Sequence, residues 1–477
     1  MTSHGSERAS RGGTVLRSAR GRPLSVAVIG TGIAGNVVAR RLHDAGHALT
    51  VFESAGHVGG HTHTHPIDDD GKELAIDTGF IVFNDRTYPN FVALLDELGV
   101  ASQPSSMSFS VRNDARGLEY NGTSLNGLFA QRRNLLSPRF LWMIAEILRF
   151  HRVAPTWLAG SRVATGSTAE TVDDDVTLGE LLREWRFRGA FIDDYLVPMG
   201  AAIWSTDPAR MLAFPARFFV RFLHNHGMLT VDDRPVWRVV RGGSARYVEP
   251  LIAPWRDRIR LNCLVQRVRR AADGVWVQTL GQPAMRFDHV FIACHADQAL
   301  RLLDDPSDAE RQILGALPFQ RNEAVLHTDT TLLPKQGRAW AAWNYHVAAP
   351  AASGPVTLTY DMNILQGLRA SRTYCVTLNA TERIDPKKVL RTMQYDHPLF
   401  TSAGIAAQRR HAEISGVRRT HYCGAYWRYG FHEDGVVSAL AALRRFDEVL
   451  HGAAPTGQPE DLQPAPSDAQ RDLPRVA

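Results

Sequence analysis

The sequence predicts an α/β protein: a parallel sheet covered by helices, with a second domain intertwined with it. Three observations carry that expectation. A β-branched run over 24–29 ends in Gly30-Thr31-Gly32-Ile33-Ala34-Gly35 and passes into a helix-like stretch over 36–45. A second strand pattern, 48–52, closes on an acid, Glu53. A strand, an aromatic loop and a helix, punctuated by glycine, recur near the far end of the chain, over 422–438. With 477 residues the chain exceeds what one hydrophobic core organises, so two intertwined domains of about 150 to 250 residues each are expected.

The first element is a strand, a glycine turn and a helix. Gly30 permits the tight turn, Gly32 lets backbone approach a pyrophosphate, and Gly35 lets the helix pack on the strand; Ile33 and Ala34 then lie at the helix N-terminus, which meets phosphate charge. GxGxxG alone is weak, and a tight turn without ligand is the competing reading. Glu53, followed by Ser54, adds to it: it stands about 20 residues beyond the glycines, where an acid holds ribose hydroxyls.

A second glycine pair follows in Gly59-Gly60-His61-Thr62-His63-Thr64. At this point the chain resembles the FAD-dependent amine oxidase and phytoene desaturase superfamily, and over about residues 25–450 it is most similar to bacterial flavin-containing amine oxidases. The resemblance implies an FAD-binding Rossmann-like fold (GxGxxG, two-dinucleotide-binding-domain type) with an inserted mixed α+β substrate domain, and non-covalently held FAD. His61 stands where that family usually has Arg, exchanging a permanent charge for a titratable donor. His61, His63 and His65 alternate, so on a strand they would share one face, and with Asp68, Asp69 and Asp70 nearby a metal site is a competing reading. The favoured reading is that the segment passes the pyrophosphate and turns into the next strand. Ile76-Asp77-Thr78-Gly79-Phe80 then resembles the family segment beside the isoalloxazine edge, implying roles for Thr78, Gly79 and Phe80.

The family is discontinuous, and this chain divides likewise. The FAD domain is expected from 25–100, 235–318 and 405–451, and the substrate domain from 101–234 and 319–404, with disordered tails at 1–24 and 452–477. Arg241 to Tyr247 opens a helix on a glycine pair, and the strand-like 259–265 implies that the Val265 backbone reads adenine. A hairpin turned at Gly274 follows, and 289–295 returns to the nucleotide-binding sheet. The C-terminal match runs through Gly424 and Gly430 to Phe431-His432-Glu433-Asp434-Gly435-Val436. It implies a helix starting near Gly435 whose N-terminal dipole stabilises the reduced flavin. Ala425 replaces an acid often found there.

The remaining features bear on partners and substrate. A net charge of +5 is small for this length and acids are spread throughout, which argues against nucleic acid. The four cysteines include no CxxC pair, so neither a disulfide framework nor a cysteine zinc site is indicated and a cytoplasmic location is expected. The stretch 140–150, with Arg132, Arg133, Arg139, Arg149 and Arg152, reads as a packed substrate-domain helix or as a basic amphipathic surface meeting anionic lipid. Phe214 to Leu223 repeats that aromatic and basic theme. Family amine oxidases often carry a Lys after a Leu-Pro segment, and Leu317-Pro318-Phe319-Gln320-Arg321 has none. Trp340, Trp343, Tyr345, Trp427, Tyr429 and Phe431 are candidates for the flavin's reactive face or for core. No catalytic acid or base is singled out.

The leading expectation is an FAD-dependent oxidoreductase taking hydride from an apolar, lipid-derived small molecule, with peripheral membrane contact as an accompanying option. The close rival is amine oxidation to an imine with peroxide formed. A flavin-binding redox protein without turnover is the reading from another class, and an NAD-only dehydrogenase is opposed by the second glycine pair and the Gly435 helix.

Overall fold

The computed structural model describes residues 23–160, 176–230, 234–348, 354 and 356–452. The expected tails fall almost wholly outside the described residues.

Five parallel strands form the sheet that the first glycine turn predicts. Their spatial order is Ile259–Arg260, Ala48–Phe52, Ser25–Ile29, His289–Ile292, Thr420–Tyr422. The order grows outward in both directions from Ser25–Ile29. The topological switch therefore lies between that strand and His289–Ile292, and the crevice beyond their C-terminal ends is where such sheets bind ligand.

Alternation along Ser25–Ile29 explains how both faces are covered. Val26 and Val28 point into a core shared with the helices Ile33–Asp44 and His432–Leu450. Ala27 and Ile29 point the other way, onto the antiparallel strands Val265–Ala271, Gly274–Thr279 and Met285–Phe287.

Three local expectations need correction. The first helix begins at Ile33 rather than Asn36, because the Asn36 amide already donates to the Gly32 carbonyl at 3.0 Å. The last helix begins at His432 rather than near Gly435, because the Gly435 amide donates to Phe431 O and the Asp434 carboxylate caps the Phe431 amide at 2.9 Å. The run 259–265 is not one strand. Asn262 takes a left-handed φ of 51°, so Ile259–Arg260 closes the nucleotide sheet and Val265 opens the hairpin.

A seven-stranded sheet forms the second layer, in the order Val389–Pro398, Phe319–His327, Cys375–Leu378, Leu358–Asp361, Trp343–Val347, Phe109–Asn113, Leu118–Asn121. Its strands come from both sides of the nucleotide-binding block in the sequence. The helices Pro138–Gly160, Leu178–Glu184, Val197–Trp204 and Ala216–Asn225 lie against one end, around an aromatic core that includes Phe150, Phe191, Trp204 and Phe219. Among the described residues no helix is long and apolar enough to cross a membrane.

Candidate active site

A cavity of about 1730 Å³ runs from the Gly30 turn, under the seven-stranded sheet, to the helices of the insertion. Small-ligand pockets span roughly 300 to 1,000 Å³, so this one has room for a large cofactor and a substrate together. Of the residues singled out from sequence, Gly30, Gly32, Ile33, Ala34, Glu53, Ser54, Gly59, Gly60, His61, Gly79, Phe80, Val265 and Gly424 line it.

The glycines divide by role. A Cβ on Gly32 would meet nothing within 4 Å, whereas one on Gly35 would lie 2.0 Å from the Gly30 carbonyl oxygen and one on Gly79 would lie 2.1 Å from the His61 carbonyl oxygen. Gly32 thus borders open space in the cavity, while Gly35 and Gly79 permit backbone to touch backbone. Gly30 adopts φ +101° against the Ala293 carbonyl, a turn that L side chains resist.

Glu53, at the end of its strand, accepts hydrogen bonds from the Thr31 amide at 2.9 Å and the Thr31 hydroxyl at 2.5 Å through one oxygen, and from the Ala55 amide at 2.8 Å through the other. The carboxylate is thereby fixed at the cavity wall.

Residues set back from the cavity hold the lining in place. Thr62 meets the Tyr247 hydroxyl at 2.6 Å, and the same hydroxyl reaches His432 Nε2 at 2.7 Å. The His432 ring stacks on Phe80, centroids 3.6 Å apart. Thr78 bonds to the Tyr395 hydroxyl and to His65. Burial raises the Asp77 carboxyl to about 6 despite its bonds from Thr64 and Ser244. Glu433 turns away from the cavity and caps the helix Pro89–Glu97, accepting from Asn90 and Phe91. Asp434 faces Arg428 at 3.4 Å. Gly435 and Val436 are likewise behind the wall, where a Cβ on Gly435 would come within 2.5 Å of Ile33 Cγ2. The N-terminal ends of the first and last helices are pressed together there, with Ile33 and His432 both on the cavity.

The histidines do not share one face. His63 stacks on His57 and leans over His65, while His61 turns toward Tyr395, His397 and His295. Among the described residues no group of three or more His, Cys, Asp or Glu side chains is placed to hold a metal ion. His61 Nε2 and His295 Nδ1 are buried without a hydrogen-bond partner. Burial first, then His397, His295 and His432, holds the His61 imidazole well below its ordinary value, so it is neutral at pH 7. Buried polar atoms of this kind are ordinarily satisfied; both side chains belong to the cavity wall, and His295 Nδ1 lies 3.9 Å from the Asp396 carboxylate.

Sequence reasoning missed His295, His397, Tyr395 and Asp396, all on the cavity wall. Of the candidate aromatics, Trp343, Tyr429 and Phe431 line it, while Tyr345 and Trp427 are buried core and Trp340 bonds to the Pro334 carbonyl. No lysine lines the cavity among the described residues.

The sequence profile of flavin-containing amine oxidoreductases matches residues 33–359, well over half of the chain, from the start of the first helix through Glu53 and the Gly59-Gly60 pair. The chain belongs to that family. A flavin-containing monoamine oxidase assignment in Mycobacterium tuberculosis is carried by a relative 27% identical over 354 residues, 71% of each chain. The fold is similar to cyclohexylamine oxidase from Brevibacterium oxydans, with TM-score 0.65 and 16% identity over 90% of this chain and all of that one. It is similar also to the fatty acid isomerase from P. acnes that produces CLA, with TM-score 0.62 and 15% identity over 89% and 98% of the two chains.

The flavin-containing amine oxidoreductase family uses FAD, and this member is an FAD-dependent oxidoreductase. Its residues fit the cofactor: an unobstructed glycine turn at a helix N-terminus, a fixed acid at the next strand end, and a buried His61 Nε2 without a hydrogen-bond partner on the same cavity wall.

Proposed function

We propose that this flavoenzyme dehydrogenates an apolar, lipid-derived substrate, taking a saturated carbon pair to a double bond. The FAD that Glu53 and the Gly30 to Ala34 turn would hold would supply the two-electron acceptor for the hydride. The proton of the neighbouring carbon would pass to solvent, and an added electron acceptor would take the electron pair away. The protein's share is to bind and orient the chain, to exclude water and to stabilise the reduced ring. No side chain is asked to act as an essential acid or base.

The observation that carries this reading is the lining of the cavity away from the glycine turn. Leu128, Ile144, Ile147, Met199, Ile203 and Met228 form apolar walls there. Only two carboxylates line the cavity among the described residues, Glu53 and Asp396. Glu53 is committed to Thr31 and Ala55, and Asp396 lies 3.5 Å from Arg321. An ammonium group would find no free counter-charge. Residues placed in Glu53's position hold ribose in dinucleotide sites, so we assign Glu53, Gly30, Gly32 and the Ile33-Ala34 turn to FAD, with His61 and His295 on its phosphates. The described cysteines are all free, which supports work in the reducing cytoplasm, beside the membranes that supply such a substrate.

Amine oxidation is the second reading, favoured by what the relatives are named for: a monoamine and cyclohexylamine. The fatty acid isomerase favours the first. Incubation of FAD-loaded protein with long-chain acyl lipids and with primary amines, followed by mass spectrometry, separates them. A lipid product lighter by two hydrogens is expected. Aldehyde and peroxide from amines, with lipids unchanged, would sink the proposal.

A further inference from the structure

The helix Pro138–Gly160 is built inside out relative to a solvated surface helix. Its inward face buries Phe140, Met143 and Phe150, as expected. Its outward face, at three- and four-residue spacing, carries Leu141, Trp142, Ala145 and Leu148 between the exposed Arg139 and Arg152. Leu136, just before it, is 88% exposed, Trp142 61% and Leu125 76%. Leu135 and Leu148 are each half exposed. Lone exposed apolar residues are ordinary, but a contiguous group marks an interaction surface.

Two further observations say what covers it. First, the group is ringed by arginines that pair with no carboxylate in the described residues: Arg132 bonds to the Phe129 carbonyl and Asn126, Arg133 to the Gly117 carbonyl, and Arg152 also borders the stripe. Arg139 and Arg149 do not contribute; the first pairs with Asp194 at 3.0 Å and the second with Glu146 at 2.9 Å beneath Phe187. Second, Leu125 and Leu148 belong both to the exposed group and to the cavity wall. The patch is the rim of the cavity.

We propose that the face formed by 125–152 docks this enzyme on an anionic lipid bilayer, so that the cavity opens into the apolar layer and its substrate enters without crossing water. Leu135, Leu136, Leu141 and Trp142 enter the acyl boundary while Arg132, Arg133 and Arg152 meet headgroup phosphates, the disposition of an interfacial helix. The inference rests on the reading of the cavity as a site for an apolar chain, but its test does not need turnover.

The experiment is co-sedimentation of the FAD-loaded full chain with vesicles of phosphatidylglycerol and phosphatidylcholine, compared with phosphatidylcholine alone. Binding is expected to the first and to weaken with salt, since headgroup attraction is screened. Leu136→Glu with Trp142→Glu should lower vesicle affinity by about tenfold or more, leaving flavin absorbance and size-exclusion volume unchanged, because neither residue lines the cavity. Arg132→Glu with Arg133→Glu should abolish the preference for anionic vesicles. Equal sedimentation of wild type and the Leu136, Trp142 variant would overturn the docking surface. So would loss of a dimer in that variant without any vesicle binding by wild type, which would assign the patch to a second copy of this chain. Vesicle binding combined with oxidation of amines alone would retain the docking surface and discard the lipid substrate.

Discussion

Gly32 and Gly35 lie three residues apart in one turn, yet they resist substitution for different reasons. Gly32 has φ −63°, open to any L-residue, and its missing side chain leaves free space on the cavity. Gly32→Val should therefore fold with little change in Tm and fail to retain FAD, read as loss of the yellow chromophore on gel filtration. Gly35→Val should not yield folded protein, since its Cβ would sit 2.0 Å from backbone that has nowhere to go. Equal behaviour of the two variants would contradict the assignment. Similarly, His61→Ala should weaken FAD retention by about 1 to 3 kcal/mol, the range for a lost buried hydrogen-bonding partner. This scale was well legible in sequence where local spacing sets the chemistry: the glycine turn, Glu53 and the Gly59-Gly60 pair. It was illegible for His295, His397 and Tyr395, which meet His61 only because the long strand Val389–Pro398 and the end of His289–Ile292 converge on it from more than two hundred residues away.

Among the elements, two helices that are almost four hundred residues apart in sequence share one task. Ile33–Asp44 and His432–Leu450 bring their N-terminal ends together on the cavity, and Gly435 lets them meet. Gly435→Ala should cost about 1 to 3 kcal/mol by overpacking against Ile33. Adding Ile33→Ala should return part of that loss, so the double-mutant cycle in chemical denaturation should show a favourable coupling. Additive losses would mean that the helices do not press on one another. Glu433 and Asp434 fall in the run that resembles the family's flavin-binding ending, but acids at a helix start cap backbone amides, their own or a neighbour's. Glu433 does this for Pro89–Glu97, and Asp434 does it for its own helix. The motif was visible; which way its side chains turn depends on a helix that lies elsewhere in the chain.

For the whole molecule, burial of histidines sets the response to acid. Burial lowers His226, His397 and His411 to about 4 and His432 to about 3, from an ordinary 6.5. Below pH 6.5 the unfolded chain takes up protons that the folded chain refuses, so stability present at neutral pH is lost as pH falls toward 4. Asp77 and Asp434, both raised by burial to about 6, act in the opposite sense as pH falls from about 6 to 4. Four histidines outweigh two carboxyls, and Tm of the cofactor-free protein should fall steadily from pH 7 to pH 4.5. A flat or rising profile would show these histidines to be solvated.

At the same scale, the large cavity with apolar walls ties the flavin-binding sheet to the inserted layer, and the claim that it holds an apolar chain can be tested in one step. The FAD-loaded protein is mixed anaerobically with a long-chain acyl lipid, then separately with primary amines, while the long-wavelength flavin absorption is followed. Bleaching by the lipid and not by the amines is the predicted result; bleaching by amines alone would contradict the account.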